Sequence, residues 1–151
     1  MKKYMMLLAI ASIAVLSGCA SAPMASADHD NQAKLFTAKP GLSKIYIYRN
    51  ESIGAAVKMD VILDGQLVGQ TVAKSYFALK VSPGKHTINS KAENDSVLDV
   101  DIEVGKSCFV WQEVKMGFLF ARNDLQRVDE TVGKAGVLES KLLKSPPIKI
   151  R

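Results

Sequence analysis

The stretch Val57-Lys58-Met59-Asp60-Val61-Ile62-Leu63-Asp64-Gly65-Gln66-Leu67-Val68-Gly69 decides the fold class. Val57, Met59, Val61 and Leu63 fall on alternate positions, with Lys58, Asp60 and Ile62 between them. Successive side chains of a strand point to opposite faces, so this period of two gathers the four apolar residues on one face. Asp64-Gly65 follows at once. A tight primed turn needs positive φ, which Asp-Gly tolerates, so the pair predicts a hairpin.

The same grammar extends in both directions. Phe77, Leu79 and Val81 alternate with Ala78 and Lys80, and Ser82-Pro83-Gly84 then turns the chain toward Ile88. Leu98, Val100, Ile102 and Val104 alternate with Asp99, Asp101 and Glu103, and Gly105-Lys106 turns into Ser107 to Met116. Ile45-Tyr46-Ile47-Tyr48 is continuous rather than alternating, which suits a strand covered on both faces. Short links favour antiparallel pairing. The expected fold is therefore mainly β: an antiparallel β-sandwich of about seven strands. Val57, Met59, Val61, Leu63, Phe77, Leu79, Val81, Ile88, Leu98, Val100, Ile102 and Val104 are expected to point inward.

One C-terminal α-helix is expected after the strands. From Asp129 to Leu143, Val132, Ala135, Leu138, Leu142 and Leu143 fall on one side at helical spacing. Asp129 and Glu130 suit its start. Gly133 and Gly136 each weaken a helix by about 1 kcal/mol relative to Ala. Phe118-Leu119-Phe120 reads as a short strand or a loop. Residues 34–145 are expected to form the folded domain, and 146–151 a basic extended tail after Pro146-Pro147.

The N-terminus carries an address. Lys2 and Lys3 precede the apolar run from Met5 to Leu16, which is the length of a secretory signal and too short to span a bilayer. Leu16-Ser17-Gly18-Cys19 resembles a bacterial lipobox. That resemblance implies a signal peptide over residues 1–18, cleavage before Cys19, and lipid (palmitate-type acyl chains) on the Cys19 thiol. A short membrane anchor and an ordinary secretory signal with a chance Cys are the plainer alternatives. Ala20, where an Asp would favour the inner membrane, implies a lipoprotein of the outer membrane facing the periplasm in a Gram-negative source. Residues 19–33 are small and polar and read as a flexible tether.

Loss of the signal removes Lys2 and Lys3 and no acid, so the formal charge falls from +5 to +3. That balance is too weak and dispersed for nucleic-acid binding. Cys108 is then alone and no internal disulfide is available. It reads as a buried small hydrophobe.

The central stretch resembles a bacterial lipoprotein domain family known only as a domain of unknown function. The residues that carry the resemblance are Ser43-Lys44-Ile45-Tyr46-Ile47-Tyr48-Arg49, Val61-Ile62-Leu63-Asp64-Gly65-Gln66, Ser82-Pro83-Gly84-Lys85-His86-Thr87-Ile88 and Phe109-Val110-Trp111-Gln112-Glu113-Val114. Their order is also similar to PEGA-type β-sandwich surface domains. The shared motifs set turns, and no catalytic residue is implied.

The chemistry-bearing residues are sparse. His86 reads as a side chain bonded to backbone; with Asp64 or Glu113 it would supply the acid and base of a small hydrolase or carbohydrate-acting enzyme. Asp28-His29-Asp30 and the Asp99, Asp101, Glu103 face read as solvated rather than as metal sites. No cofactor and no metal is expected. Tyr46, Tyr48, Tyr76 and Trp111 are either core or an aromatic ligand surface, for a glycan among others. The expected function is a non-enzymatic binding or structural module of the cell envelope, held to the membrane through lipid on Cys19, with an envelope protein or glycan as partner.

Overall fold

The computed structural model describes residues 21–149. Its elements run α1 (Ala27–Ala33), β1 (Ser43–Arg49), β2 (Met59–Leu63), β3 (Gln66–Thr71), β4 (Ser75–Val81), β5 (Gly84–Lys91) and β6 (Asp95–Ile102). They continue with β7 (Ser107–Met116), β8 (Ala121–Val128), α2 (Glu130–Leu138) and β9 (Lys141–Leu142). The strands form two sheets, ordered β8-β7-β1-β4-β9 and β3-β2-β5-β6. The architecture is a sandwich with a helical layer added, and nine strands replace the expected seven among the described residues.

Local chemistry sets the hairpins. Asp64 (φ 49°) and Gly65 (φ 79°) both take positive φ, and Leu63 faces Gln66 across the turn. The pairing expected from Asp64-Gly65 is therefore formed. Pairing is antiparallel except for β1 with β7 and β4 with β9, which run parallel. The expected β-sandwich is formed with mostly antiparallel pairing, and these two parallel pairs are what local turns did not predict. Tight turns fix direction only between sequence neighbours, and β7 returns to β1 after the whole second sheet has been built.

Between the sheets, Ile45, Ile47, Val61, Leu63, Phe77, Leu79, Ile88, Val100 and Val110 form the main core. On the other face of β1, Tyr46, Tyr48, Tyr76, Phe109 and Val137 form a second core under the helices. This double cover explains why Ile45 to Tyr48 is apolar at every position. Three residues expected inward differ. Val104 is 60% exposed because β6 ends at Ile102, Val57 is half-buried just before β2, and Leu98 is half-buried in the middle of the edge strand β6.

One end of the interior is polar. Arg49, fully buried, donates to the carbonyls of Val57 (2.7 Å), Gly54 (2.6 Å) and Ile53 (3.2 Å). Gln112 accepts from the Thr71 hydroxyl (2.5 Å) and donates to Ser90 Oγ (2.5 Å). Asn123 Nδ2 donates to the Ser90 and Asn94 carbonyls. Gln112 thus ties β7 to Thr71 and Ser90 of the opposite sheet, while Arg49 and Asn123 are held by backbone carbonyls.

Helix α2 docks by an unexpected face. Asp129 caps it, its carboxylate accepting from Val132 N at 3.0 Å. Gly133, Gly136 and Val137 are buried, whereas Val132 and Leu138 are about half exposed. An added Cβ at Gly133 would lie 2.2 Å from Phe109 Cβ, and one at Gly136 would lie 2.1 Å from the Tyr48 ring. The glycines permit close approach to the aromatic layer, which outweighs their cost in helix propensity.

The segment expected to be an unordered tether is structured from Ser21 onward. Met24 bridges Leu143, Ala25 N donates to Leu142 O (2.8 Å), and Ser26 caps α1. Asp30 Oδ1 accepts from the Tyr76 hydroxyl (2.7 Å) and Leu142 N (3.0 Å), while Oδ2 accepts from Lys34 Nζ (2.7 Å). Long-range polar contacts supply the ordering that the segment's own apolar content cannot. The C-terminal tail is likewise laid on the domain, with Ile148 against the core and Lys149 N donating to Gln66 Oε1.

Candidate functional site

The lipobox residues Leu16, Ser17, Gly18 and Cys19 lie outside the described residues, as does Arg151 of the tail. The aromatic residues are inside. Tyr46 and Tyr48 are 0% and 2% exposed, and the Tyr46 ring stacks on Phe109 at 5.0 Å. The Tyr46 hydroxyl donates to Ala33 O (2.9 Å). Burial pushes both phenols up to about 12. Trp111 is half-buried against the same cluster. The alternative of an aromatic ligand surface at Tyr46, Tyr48 and Trp111 is thereby corrected: α1 and α2 cover that face.

His86 and Asp64 do meet. Nδ1 of His86 lies 2.7 Å from Asp64 Oδ2, and Nε2 lies 2.8 Å from the Ser82 carbonyl. A carbonyl oxygen only accepts, so Nε2 carries a proton directed at backbone. Burial alone would lower the imidazole's pKa, but the bonds to Asp64 and Ser82 outweigh it and raise the pKa above the ordinary value. Asp64 Oδ1 also accepts from Thr87 N (2.9 Å). The three groups thus clip the β2–β3 turn to the start of β5. Glu113 lies elsewhere, two residues beyond the Trp111–Tyr48 pair, and accepts from Gln126 Nε2.

The other expected residues are also engaged. Cys108 is buried, and burial raises its pKa. His29 Nδ1 sits 3.1 Å from Ser26 Oγ, and Asp99 accepts from the Thr87 hydroxyl. Among the described residues, no group of three or more His, Cys, Asp or Glu is placed to hold a metal. None of the helices there is long and apolar enough to cross a membrane.

The feature that sequence reasoning missed is the β7–β8 hairpin tip. Met116 is 85% exposed, Phe118 92%, Leu119 75% and Phe120 65%. The tip is held in shape. Glu93 Oε1 accepts from Phe118 N (2.8 Å), and Oε2 accepts from Leu119 N (2.9 Å) and Phe120 N (2.6 Å). The backbone N–H groups of Phe120, Phe118 and Leu119 hold the Glu93 carboxyl below its ordinary pKa. The loop is thus ordered while its large side chains face solvent. Contiguous exposed apolar surface of this kind marks interaction sites. The signal was present as three apolar residues after Gly117, but neither a short strand nor a loop there, the two readings the sequence allows, reveals that all three are exposed.

The tip has a defined position. β7 runs parallel to β1 and continues past Tyr48, so the tip lies beyond the Arg49 end of the sheet. The N-terminal segment runs the other way. Pro23 O accepts from Lys144 N and Ala25 N donates to Leu142 O, which carries Ser21 toward the Val81 end. The two poles are separated by about 30 Å, the length of the ten-residue β7 at roughly 3.3 Å per residue.

Residues 39–123 match the family model described as "Protein of unknown function (DUF2846)". The chain is also similar to an "Uncharacterized protein" of Haemophilus influenzae (strain ATCC 51907 / DSM 11121 / KW20 / Rd). That relative is 35% identical over 125 residues, covering 82% of this chain and 74% of its own length. No solved structure matches.

Proposed function

The chain belongs to the DUF2846 family of proteins of unknown function, and from that premise we propose that it is a non-enzymatic envelope lipoprotein, anchored through lipid on Cys19, that presents a preformed apolar hairpin tip to a protein partner. The observation that carries this reading is polarity: the chain enters at one pole and Met116, Phe118, Leu119 and Phe120 project from the other. Lipid on Cys19, two residues before Ser21, would place the tip farthest from the anchoring bilayer. An ordered apolar loop loses little conformational entropy on docking, which suits a protein groove. The outer membrane facing the periplasm is the proposed location. The Asp64-Gly65 and Pro83-Gly84 turns support the likeness to PEGA-type sandwiches.

The alternative, a small hydrolase using His86 with Asp64, is disfavoured by the ring itself. Both nitrogens face intramolecular partners, so neither is available to a substrate. Two measurements test the proposal. Cys19→Ala is expected to abolish incorporation of radiolabelled palmitate, and full labelling of that variant would refute the anchor. A photo-crosslinking residue at position 118 is expected to give a discrete protein adduct in intact cells that disappears with Leu119→Asp. No adduct, or one unaffected by that change, would refute the partner.

A further inference from the structure

The pole at which the N-terminal segment arrives carries a second feature, independent of the tip and of acylation at Cys19. A groove of about 300 Å³ opens between α1 and the ends of β1 and β4. Lys39, Lys44 and Lys80 line it together with His29, Gln32 and Thr37, and its wall contains no carboxylate. Lys44 and Lys80 are direct cross-strand partners. Like charges in that position destabilise a sheet. Lys39, Lys44 and Lys80 form no salt bridge among the described residues, although six such pairs form elsewhere. Burial, and then the charges of Lys80 and Lys39, hold the Lys44 ammonium below its ordinary pKa. Asp30, a carboxylate of α1, is already committed to Lys34, Tyr76 and Leu142.

Three ammonium groups around one small open space therefore repel one another without a carboxylate partner; Lys44 Nζ has the centroid of the Tyr46 ring 5.9 Å away. A bound anion would offset that repulsion. Three cations match the charge of a phosphate monoester, roughly −1.5 to −2, better than that of a single carboxylate. Lysine binds phosphate as a point charge, without the planar fork geometry that arginine uses. The Gln32 amide and Thr37 hydroxyl supply neutral donors at the same wall. We propose that this groove binds a phosphate monoester, with Lys44 and Lys80 as its principal ligands and Lys39 as the third.

The ligand phosphate is either free or carried on a lipid. The test uses the full chain in non-ionic detergent and reads amide chemical shifts of Thr37, Lys44 and Lys80. Inorganic phosphate is titrated against chloride at matched ionic strength. A second arm measures sedimentation with phosphatidylcholine vesicles containing or lacking phosphatidic acid. Saturable shifts with inorganic phosphate are expected, and the Lys44→Met, Lys80→Met double variant is expected to weaken binding at least about tenfold, since two charge-assisted bonds are removed. Without phosphate, the double variant is expected to melt at a higher temperature, because the like-charge pair is gone. Stronger retention on phosphatidic acid vesicles than binding of free phosphate identifies a lipid source; the reverse identifies a soluble one. Absence of saturable binding in both arms overturns the site. So do equal affinity in the double variant and a double variant that melts lower without phosphate. Failure of Cys19 labelling leaves all of these outcomes unchanged.

Discussion

Replacing Gly136 by Ala sets two effects of known size against each other. Helix propensity alone favours Ala by about 1 kcal/mol in a helix interior. The structure opposes it. The added Cβ would sit 2.1 Å from Tyr48 Cε2, and ordinary contact begins at 3.4 Å, so helix or ring must move by 1.3 Å. Tyr48 is 2% exposed and neighbouring Val137 is fully buried, which leaves little space for that movement. Overpacking a dense core costs about 1–3 kcal/mol, and this contact lies at the upper end. The net expectation is destabilisation by about 2 kcal/mol. Urea unfolding of the full chain, followed by the fluorescence of Trp111, its single tryptophan, reads this directly. The midpoint is expected to fall with an unchanged slope. Ala135→Gly, at an exposed position of the same helix, isolates the propensity effect and is expected to cost about 1 kcal/mol. A Gly136→Ala variant more stable than the parent would refute the account of how α2 docks.

Other expectations follow from single contacts. The His86 clip stabilises most when the imidazole is protonated. Its folded pKa is raised, so its contribution is complete below the unfolded value of about 6.5 and is lost as pH rises through the folded pKa. The stability gap between the parent and His86→Gln is therefore expected to shrink from pH 6 toward pH 9, and a pH-independent gap would contradict the pairing. Glu93→Gln is expected to speed hydrogen exchange at Phe118, Leu119 and Phe120 while leaving the unfolding free energy within about 0.5 kcal/mol of the parent's. Asp30→Ala removes the acceptor of Tyr76, Lys34 and Leu142, and is expected to cost about 1–3 kcal/mol. Proteolysis near Ser26 is expected to accelerate in that variant, and unchanged cleavage would show that the segment is held by something else.

The alternation at Met59 to Leu63, the Asp64-Gly65 turn and the continuous run at Ile45 to Tyr48 were legible because each depends on local period and φ. The face of α2 was not. Gly133 and Gly136 weaken a helix locally, and only the aromatic layer beneath them makes their small size an advantage. The order in residues 21–33 was also hidden, since it comes from Tyr76, Ser140 and Leu142, which are distant in sequence. His86 was recognised as a backbone-bonded residue, and its pairing with Asp64 was only one of two options. The tip at Phe118 to Phe120 was visible as an apolar run, but its exposure depends on β7 extending past the end of β1. Lys44 and Lys80 lie 36 residues apart, and nothing local marks them as neighbours.

The polar end of the interior acts as an alignment key. β7 alternates Cys108, Val110, Gln112 and Val114 toward the opposite sheet with Phe109, Trp111 and Glu113 toward the helices. A slip of one residue exchanges the two sets. A purely aliphatic interior would tolerate that error at modest cost, because Val and Phe both fill space. Here the slip would turn Gln112 toward the aromatic layer, carry Glu113 inward, and leave Thr71 and Ser90 without their shared partner. A corresponding slip of β1 would withdraw Arg49 from its three carbonyls. Each loss strands a buried donor or acceptor at about 1–3 kcal/mol. Misaligned sandwiches are thus penalised several times over, which widens the energy gap that separates the native pairing from its nearest competitors.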